Sequence, residues 1–530
     1  MKAKACTRCR QWKVGCDADV SGPEGCSRCR NHGLPCTFDR TFRRVATKRK
    51  LADMQAELTE LRKLARGAPE GSPATPAAAP TAASAQTSLS VPAFATAPST
   101  SNLQGLCITD KSIDDVHLTA SHVNELFRIY FTRCHPYLPF SMCQSIEAIY
   151  DRCPMLFWVI CAVASPDSAR TRFEAPVRTL MLDVLDLRKE SGVEMVQAIL
   201  ILCMWPFPFS CQKEDSSFIY SGLATQISLS LGLHRPAVDA GFGTESTTTE
   251  RQGDEEIRRT TWLACFVVAQ IQASRRGVPA TVSADYSLLS SLDDPAVPRE
   301  LSHLCYISHL TLDATQALGT RGSNTTGLVE PSTRISMINV FGRQFEDLRR
   351  LRFPQPTDIV EIFYLNSRLQ LWSFALHNDV PVTANSVQIV YQAREDAIRL
   401  IQVACEKNLS LVPFYTRRSV CYAALLLYRI KLGSYGCQDD MIEHHIDTAR
   451  QALSTSEGPS VGRFLATVTS PDNMDVFTRA AGDKDSPHRS RMGAFLVFDF
   501  HRVYTNLRQA NVFLSSEFLE FDNLPWMELQ

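Results

Sequence analysis

Six cysteines within the first 36 residues constrain this chain more than any other feature. They form two copies of the pattern C-x2-C-x6-C, separated by nine residues: Cys6, Cys9 and Cys16, then Cys26, Cys29 and Cys36. Two tetrahedral zinc ions require eight ligand positions, so six thiolates suffice only if two sulfurs each bridge both ions. The matched spacing therefore predicts a module built around two zinc ions.

Two other kinds of structure use cysteines at this density. A disulfide framework needs an oxidising compartment, and the residues before Cys6, Met1-Lys2-Ala3-Lys4, contain no apolar signal-peptide segment. A RING-type or double zinc-finger module needs eight separate ligands, and only His32 is available besides the cysteines. We interpret His32 as a solvent-facing loop residue, so the shared zinc cluster is favoured.

Positive charge surrounds the cysteines. Residues 1–50 contain thirteen lysines and arginines and four aspartates and glutamates, and six thiolates with two Zn2+ ions would leave about plus seven. A small module with this charge is typical of proteins that bind the DNA phosphate backbone. Residues 67–530 carry a net charge of minus ten, so a near-neutral total divides into a basic head and an acidic body.

The cysteine pattern resembles the DNA-binding domain of fungal binuclear zinc cluster (Zn2Cys6) transcription factors. The resemblance implies that Cys6 and Cys26 bridge the two zinc ions. The other cysteines would complete the two sites in pairs, Cys9 with Cys16 and Cys29 with Cys36.

The same resemblance implies how DNA is read. In the family, a short helix between the second and third cysteines enters the major groove, and a lysine four places after the second cysteine reads a CGG triplet. Lys13 occupies that place, and Arg10 matches a basic residue that contacts phosphate, whereas Trp12 and Gly15 stand where relatives commonly place basic residues. The DNA-contacting residues implied are Arg8, Arg10, Lys13, Arg40, Arg43 and Arg44.

Residues 40–66 combine a basic run with a short hydrophobic repeat. The basic residues of 40–50 are typical of a phosphate-contacting linker and of a nuclear import signal. Residues 51–66 place Leu51, Met54, Leu58 and Leu61 at heptad a and d spacing, which predicts a short coiled coil and a homodimer. An amphipathic helix that packs on the body is the alternative for this segment.

Composition marks the remaining boundaries. The Zn2Cys6 domain is predicted at residues 1–39. Residues 67–104 are rich in Ala, Pro, Ser and Thr and nearly uncharged, which predicts a disordered linker. Residues 105–514 have helical periodicity and are predicted to form one large all-α regulatory domain. Three apolar stripes are expected in its core: Val123, Phe127, Tyr130, Phe131 and Cys134; Ile219, Leu223, Ile227 and Leu231; Leu263, Phe266, Val267 and Ile271.

Three landmarks in this body resemble the regulatory (middle homology) domain of the same fungal family, over approximately residues 120–290. They are His135-Pro136-Tyr137-Leu138-Pro139-Phe140, the helix ending in Leu231-Gly232-Leu233-His234, and Arg258-Arg259-Thr260-Thr261-Trp262 followed by Gly277-Val278-Pro279. Gly232 is predicted to cap its helix. The segment Cys203-Met204-Trp205-Pro206-Phe207-Pro208 is similar to the subgroup of fungal leucine-pathway and secreted-protease regulators.

The sequence lacks the signatures of zinc metalloproteases and of phosphate-binding loops. No H-E-x-x-H or phosphate-loop pattern occurs. We interpret Glu443-His444-His445 as solvated surface, because adjacent histidines point to different faces of a helix. The twelve cysteines after Cys36 are interpreted as buried free thiols. The most apolar stretches, 155–164 and 198–209, are shorter than the ~20 residues of a membrane span.

The last sixteen residues, 515–530, mix acidic and aromatic side chains, which predicts a transcriptional activation tail that binds coactivators. A tail that docks back onto the body is the alternative. Taken together, the sequence predicts a nuclear RNA polymerase II transcription factor, an activator of metabolic or biosynthetic genes that reads CGG half-sites, with a small-molecule effector left open. The rival hypothesis is a zinc-scaffolded cofactor that acts through protein contacts without reading DNA.

Overall fold

The computed structural model describes residues 5–7, 9, 14–17, 25–31, 36–38, 106–143, 145–182, 192–209, 214–236, 248–322, 324–433, 440–455, 459–481 and 486–512. The chain divides into two compact units, Met1–Phe94 and Ala95–Gln530. The predicted basic linker (40–50), coiled coil (51–66), disordered linker (67–104) and activation tail (515–530) lie outside the described residues and stay predictions.

In the described part of the first unit, a short helix, α1, lies at Ser27–Asn31. The body is built from longer helices, and in chain order they are α2 Ala120–Ile129, α3 Ile146–Arg152, α4 Pro154–Ala164, α5 Asp167–Arg170, α6 Glu174–Leu182, α7 Val193–Met204, α8 Ser217–Ser230, α9 Thr248–Arg276, α10 Tyr286–Ser291, α11 Arg299–Gly319, α12 Pro331–Arg352, α13 Asp358–Ser373, α14 Ala384–Cys405, α15 Phe414–Leu432, α16 Asp440–Thr455, α17 Pro459–Val468, α18 Met474–Ala481 and α19 Phe495–Val512. The predicted all-α body is therefore confirmed.

One antiparallel hairpin interrupts the helical pattern of the body. Strands β1 (Lys111–Ile113) and β2 (Val116–Leu118) pair in register, with Ile113 opposite Val116. The turn between them places Asp114 at φ 47°, a left-handed conformation that Asp tolerates better than most residues. Val116 and Leu118 alternate with an exposed His117 and are buried, so a period of two anchors this hairpin on the helices.

Consecutive helices pack against each other to form the core. α7 packs on α4, α8 and α9. α13 packs on α11 and α14, α14 also packs on α15, and α15 packs on α16. The two apolar stretches noted in the sequence supply α4 and α7, whose side chains are buried almost all round. Among the described residues, no helix is both long enough and apolar enough to cross a membrane.

The first and third predicted apolar stripes are confirmed, and the middle one is wrong at Ile219. Val123, Phe127, Leu263 and Phe266 are fully buried, whereas Ile219 in α8 is 71% exposed and Ile227 is buried. The buried face of α8 combines Ile227 with small side chains, Ser217, Ser221, Ala224, Thr225 and Ser228. Thr225 and Ser228 donate their hydroxyls to carbonyl oxygens one turn earlier, at 2.9 and 2.7 Å, so polar groups are satisfied within the helix while α7 and α9 approach closely.

Two landmark glycines occupy positions that favour glycine. Gly232 follows α8 with φ +68°, and its amide and that of Leu233 donate to the carbonyls of Leu229 and Ser228, so the predicted cap is confirmed as a Schellman motif. Gly277 follows α9 with φ +62°, and a Cβ there would lie 2.0 Å from the carbonyl oxygen of Arg491. The second glycine thus allows the C-terminal segment to pack directly on the end of α9.

Candidate metal centre

The six N-terminal sulfurs lie together in two overlapping groups of four. One group contains Cys6, Cys9, Cys16 and Cys26, and the other contains Cys6, Cys26, Cys29 and Cys36, with all sulfurs of a group within 4.8 Å of one another. Cys6 and Cys26 are the two residues common to both groups. This is the sharing that the resemblance implied.

The distances between sulfurs fit tetrahedral zinc. Two ligands held about 2.3 Å from one tetrahedral ion lie about 3.8 Å apart. Cys6 and Cys29 Sγ are 3.8 Å apart, Cys9 and Cys26 Sγ are also 3.8 Å apart, and Cys6 and Cys26 Sγ are 4.0 Å apart. These spacings are far longer than the ~2.05 Å of a disulfide, and all six thiols are free. The donor set therefore fits two zinc ions and excludes a disulfide framework for these residues.

The two repeats hold their sulfurs with the same backbone hydrogen bonds. Four amides donate to sulfur at 3.3 to 3.4 Å: Cys9 to Cys6, Cys6 to Cys16, Cys29 to Cys26 and Cys26 to Cys36. A hydrogen bond from an amide stabilises a thiolate relative to a thiol. The sequence repeat is thus a structural repeat, with each first cysteine receiving the amide of the second.

The two shared sulfurs are those whose ionisation the fold favours. The Cys29 amide lowers the pKa of the Cys26 thiol to about 6. Burial opposes ionisation of Cys6, but the Cys9 amide and neighbouring thiols donate to its sulfur and its pKa lies below the usual value. The hydrogen bond to Cys26 and burial raise the pKa of Cys29 to about 12, and burial, followed by the contact with Cys6, raises that of Cys9. The thiols with lowered pKa values are therefore the two that both groups share.

Cysteines dominate the interior formed by the described residues of this unit. Among those residues, the buried core consists of Cys6, Cys9, Cys26 and Cys29, with Ala5 and Val14 packed at its edge. Asp17 Oδ1 accepts the amide of Ser27 at 3.0 Å, which caps the five-residue α1, and the Thr7 amide donates to the Thr37 carbonyl at 2.9 Å. A structural zinc site rarely exists preformed in an unfolded chain, so we expect metal binding and folding to be coupled here.

Gly25 is a structural residue that the sequence reasoning missed. Its φ is +87°, and a Cβ at this position would lie 2.5 Å from the Cβ of Cys36. Ala5 holds the matching place in the first repeat, so the repeat alone does not predict a glycine requirement. The sequence signal for this requirement was the glycine itself, which immediately precedes Cys26 and ends the nine-residue segment between the two repeats.

The residues implied to contact DNA, Arg8, Arg10, Lys13, Arg40, Arg43 and Arg44, lie outside the described residues. Two basic residues on α1, Arg28 and Arg30, are described and exposed. They stand at the positions of the second repeat that match Arg8 and Arg10 in the first, and the sequence reasoning did not single them out. The described part of this unit therefore presents positive charge beside the cluster.

The described residues of the body form no cluster of three or more side chains that could hold a metal ion. The cysteine groups are the only clusters of three or more metal-ligating side chains among the described residues. The interpretation of Glu443-His444-His445 as solvated surface is wrong for His445, which is 3% exposed and bonds to the Met441 carbonyl at 2.7 Å and to Gln402 at 3.2 Å. The ten described cysteines after Cys36 are free thiols, most of them buried.

Two stretches of the chain match known domains. Residues 4–45 match the fungal Zn(2)-Cys(6) binuclear cluster domain, and residues 127–296 match the fungal specific transcription factor domain. The second match contains all three landmarks of the body. These matches confirm that the chain resembles both domains, and together with the cysteine geometry they confirm the prediction of two zinc ions held by cysteines.

Curated relatives are also transcription regulators. The transcriptional regulatory protein SEF1 of Candida albicans is 26% identical over 518 residues, which is 85% of this chain and 56% of the relative. The putative transcription factor SEF1 of Kluyveromyces lactis is 29% identical over 356 residues (65% of this chain, 31% of the relative). The regulatory protein LEU3 of Saccharomyces cerevisiae is 26% identical over 425 residues (65% of this chain, 47% of the relative).

The chain spans between about a third and just over half of the length of these relatives. No solved structure matches the chain significantly.

Proposed function

Because this chain carries a fungal Zn(2)-Cys(6) binuclear cluster domain and a fungal specific transcription factor domain, we propose that it is a nuclear, DNA-binding regulator of RNA polymerase II transcription. The observation that carries the proposal is the pair of four-cysteine groups sharing Cys6 and Cys26. Closed sites of four thiolates leave no open position for a reacting water, so such a cluster serves structure and recognition. An enzymatic use of these zinc ions is therefore disfavoured by their chemistry.

DNA reading is assigned to the first repeat. Lys13, four places after Cys9, donates to guanine acceptors of a CGG half-site, and Arg10 holds a phosphate. Arg8, Arg40, Arg43 and Arg44 add phosphate contacts that position the module without specifying sequence. The excess of positive charge in residues 1–50 supports this assignment.

The remaining segments give the regulator its assembly and output. Residues 51–66 join two chains in a homodimer and thereby set the spacing of half-sites. The helical body adjusts activity in response to an effector, and residues 515–530 recruit coactivators, which makes the protein an activator of a metabolic or biosynthetic gene set. Support for these parts comes from the heptad spacing, the match over 127–296 and the acidic-aromatic composition of the tail.

A mobility-shift assay tests the proposal against a zinc-scaffolded cofactor that does not read DNA. The full chain should shift a CGG-containing duplex, a zinc chelator should abolish the shift, and Lys13→Ala should weaken it by about 1 to 3 kcal/mol, or roughly 5- to 150-fold. Arg343→Ala, an exposed arginine of α12, is the matched control and should leave the shift unchanged. A shift that persists after chelation, or no shift by the zinc-loaded chain, refutes DNA reading by the cluster.

A further inference from the structure

The first halves of α12 and α14 expose no charge. Residues 331–342 of α12 contain one charged residue, Arg334, which is 1% exposed, and residues 384–393 of α14 contain none. With 21% charged residues in the whole chain, these 22 positions would contain about five. Charge is therefore depleted on this part of the surface, as it is at the centre of protein–protein interfaces.

Contacts at two levels place these two stretches side by side. Near their starts, Arg334 of α12 pairs with Asp379, which lies just before α14. Further along, Trp372 of α13 lies between the two helices. Its Nε1 donates to Asp396 Oδ2 at 2.6 Å, and a Cβ at Gly342 would lie 2.5 Å from its ring. The first halves of α12 and α14 therefore run beside each other in the same direction.

Three large apolar side chains are exposed on this part of the surface. Val340 is 53% exposed, Val382 is 57% exposed and Tyr391 is 51% exposed. An α-helix turns about 100° per residue, so Val340 and Tyr391 point about 200° and about 140° away from the residues of their helices that contact Trp372. Both therefore lie on the outer face. The uncharged patch consists of these three residues and two exposed neutral ones, Ser336 and Gln388.

A second copy of the chain is the partner that charge favours for this patch. Residues 67–530 carry a net charge of minus ten, so two bodies repel each other. A contact between them costs least where neither copy exposes charge, and a twofold contact places the same surface on both sides. The apolar side chains supply the centre of such a contact, and the neutral hydroxyl and amide groups supply hydrogen bonds at its edge.

The predicted dimerisation segment brings two such patches together. The heptad spacing of 51–66 predicts a joined pair of chains, and the predicted linker at 67–104 is 38 residues long. A flexible chain of this length spans roughly 30 to 40 Å, and tethers of this kind give effective concentrations of roughly millimolar. Three apolar side chains per copy form a contact that is weak between free bodies and populated between joined ones.

We propose that the uncharged patch is a second dimer interface, through which the two bodies of a joined pair contact each other about a twofold axis. The proposal rests on the homodimer of the proposed function and goes beyond it, because it assigns a contact to the body itself. The two bodies of a pair are then held together at this face.

The test is photo-crosslinking of the full, zinc-loaded chain at about 1 µM in the absence of DNA, far below the effective concentration of a tethered pair. The photoreactive amino acid p-benzoylphenylalanine replaces Tyr391. Unlabelled and 15N-labelled chains are mixed, so that mass spectrometry identifies crosslinks between two copies. These crosslinks should join position 391 to residues 331–342 or 382–393 of the second copy.

An exposed tyrosine elsewhere on the body provides the matched control. Tyr286 of α10 is 86% exposed and lies outside the uncharged patch. The same photoreactive amino acid in place of Tyr286 should give at least about tenfold fewer crosslinks between copies. Equal yields from the two positions would show collision between chains and not an interface.

A charge placed on the patch should weaken the contact, because a twofold axis brings two like charges together. Val340→Asp should lower the crosslinking yield at position 391 at least about tenfold. Gln226→Asp adds the same charge at an exposed position of α8 and should leave the yield unchanged. Both substituted positions are exposed, so both variants should fold, which circular dichroism checks.

The outcomes separate this interface from the proposed function. Equal yields from positions 391 and 286, no crosslinks between copies, crosslinks to residues 515–530 of the same chain, or an unchanged yield in folded Val340→Asp overturn the interface. Leu58→Pro interrupts the heptad repeat and should lower the yield, whereas an unchanged yield leaves the interface standing and contradicts dimerisation through 51–66. A chain that crosslinks but does not shift a CGG duplex contradicts DNA reading alone.

Discussion

The sulfurs of Cys6 and Cys26 lie 4.0 Å apart, and each belongs to both four-cysteine groups of the N-terminal unit. Each also accepts the amide of the second cysteine in its repeat, Cys9 or Cys29, at 3.4 Å. Equivalent positions in the two repeats therefore have equivalent surroundings. The pair provides the frame on which both zinc ions are held.

Loss of a shared cysteine should affect both zinc ions, and loss of an unshared cysteine only one. Cys26→Ala removes a ligand from each group, whereas Cys36→Ala leaves the group of Cys6, Cys9, Cys16 and Cys26 intact. Native mass spectrometry should find almost no zinc on the first variant and about one ion on the second. Equal zinc content in the two variants would refute the sharing of Cys26.

Gly25 should be required for a stable cluster. Gly25→Ala forces a Cβ onto a φ of +87° and within 2.5 Å of Cys36, so it should destabilise the unit by more than about 1 kcal/mol and accelerate zinc release to a chelator. Gly15→Ala is the matched control, since nothing lies within 4 Å of its Cβ position. Zinc release that is equally fast in both variants would contradict this role.

The ion pair of Arg334 and Asp379 should contribute to the stability of the body above acidic pH. Arg334 is 1% exposed and donates to both oxygens of Asp379 at 2.9 Å, and Arg489 contacts the same carboxylate at 2.5 Å. Asp379→Asn should cost about 3 kcal/mol at pH 7 by urea unfolding. Asp347→Asn, in the exposed pair with Arg350, should cost at most about 0.5 kcal/mol.

The cost of Asp379→Asn should depend on pH. Burial opposes ionisation of Asp379, but Arg334 and Arg489 outweigh it and lower the carboxyl pKa. A depressed folded-state pKa gives stabilisation that is present above the unfolded value of about 3.9 and lost as the pH falls through the folded value. Wild type and variant should therefore converge in acid, and a constant difference down to about pH 2 would contradict this origin.

Deletion of 515–530 tests the activation tail. Reporter output should fall while occupancy of CGG sites, measured by chromatin immunoprecipitation, persists, because the tail contributes coactivator contacts and no DNA contacts. Unchanged output at unchanged occupancy would show that activation lies elsewhere and would favour a tail that docks on the body.

The features predicted from sequence were those fixed by local chemistry. The spacing of six cysteines determines which sulfurs come together, and Gly232 ends a helix through bonds to residues only three to five positions away. The small polar part of the buried face of α8 was missed because serines such as Ser221 and Ser228 are expected at the surface on hydropathy grounds. Their burial depends on how closely α7 and α9 approach, which no pattern within α8 reveals.

The structural role of Gly25 was missed for a similar reason. A glycine before a cysteine is common, and only the fold shows that its φ is positive and that Cys36 occupies the space of a Cβ. His445 was missed because its partner, Gln402, lies on α14, far away in sequence. A sequence pattern does not reveal contacts between distant elements, or the backbone angles that those contacts set.

The most direct test of the central claim is to restore zinc to the metal-stripped full chain while measuring fluorescence anisotropy of a labelled CGG duplex. Zinc content and DNA affinity should rise together until two ions are bound per chain, and Cys26→Ala should recover neither. Tight CGG binding by the metal-free chain, or by Cys26→Ala, would contradict a DNA reader built on two zinc ions that share Cys6 and Cys26.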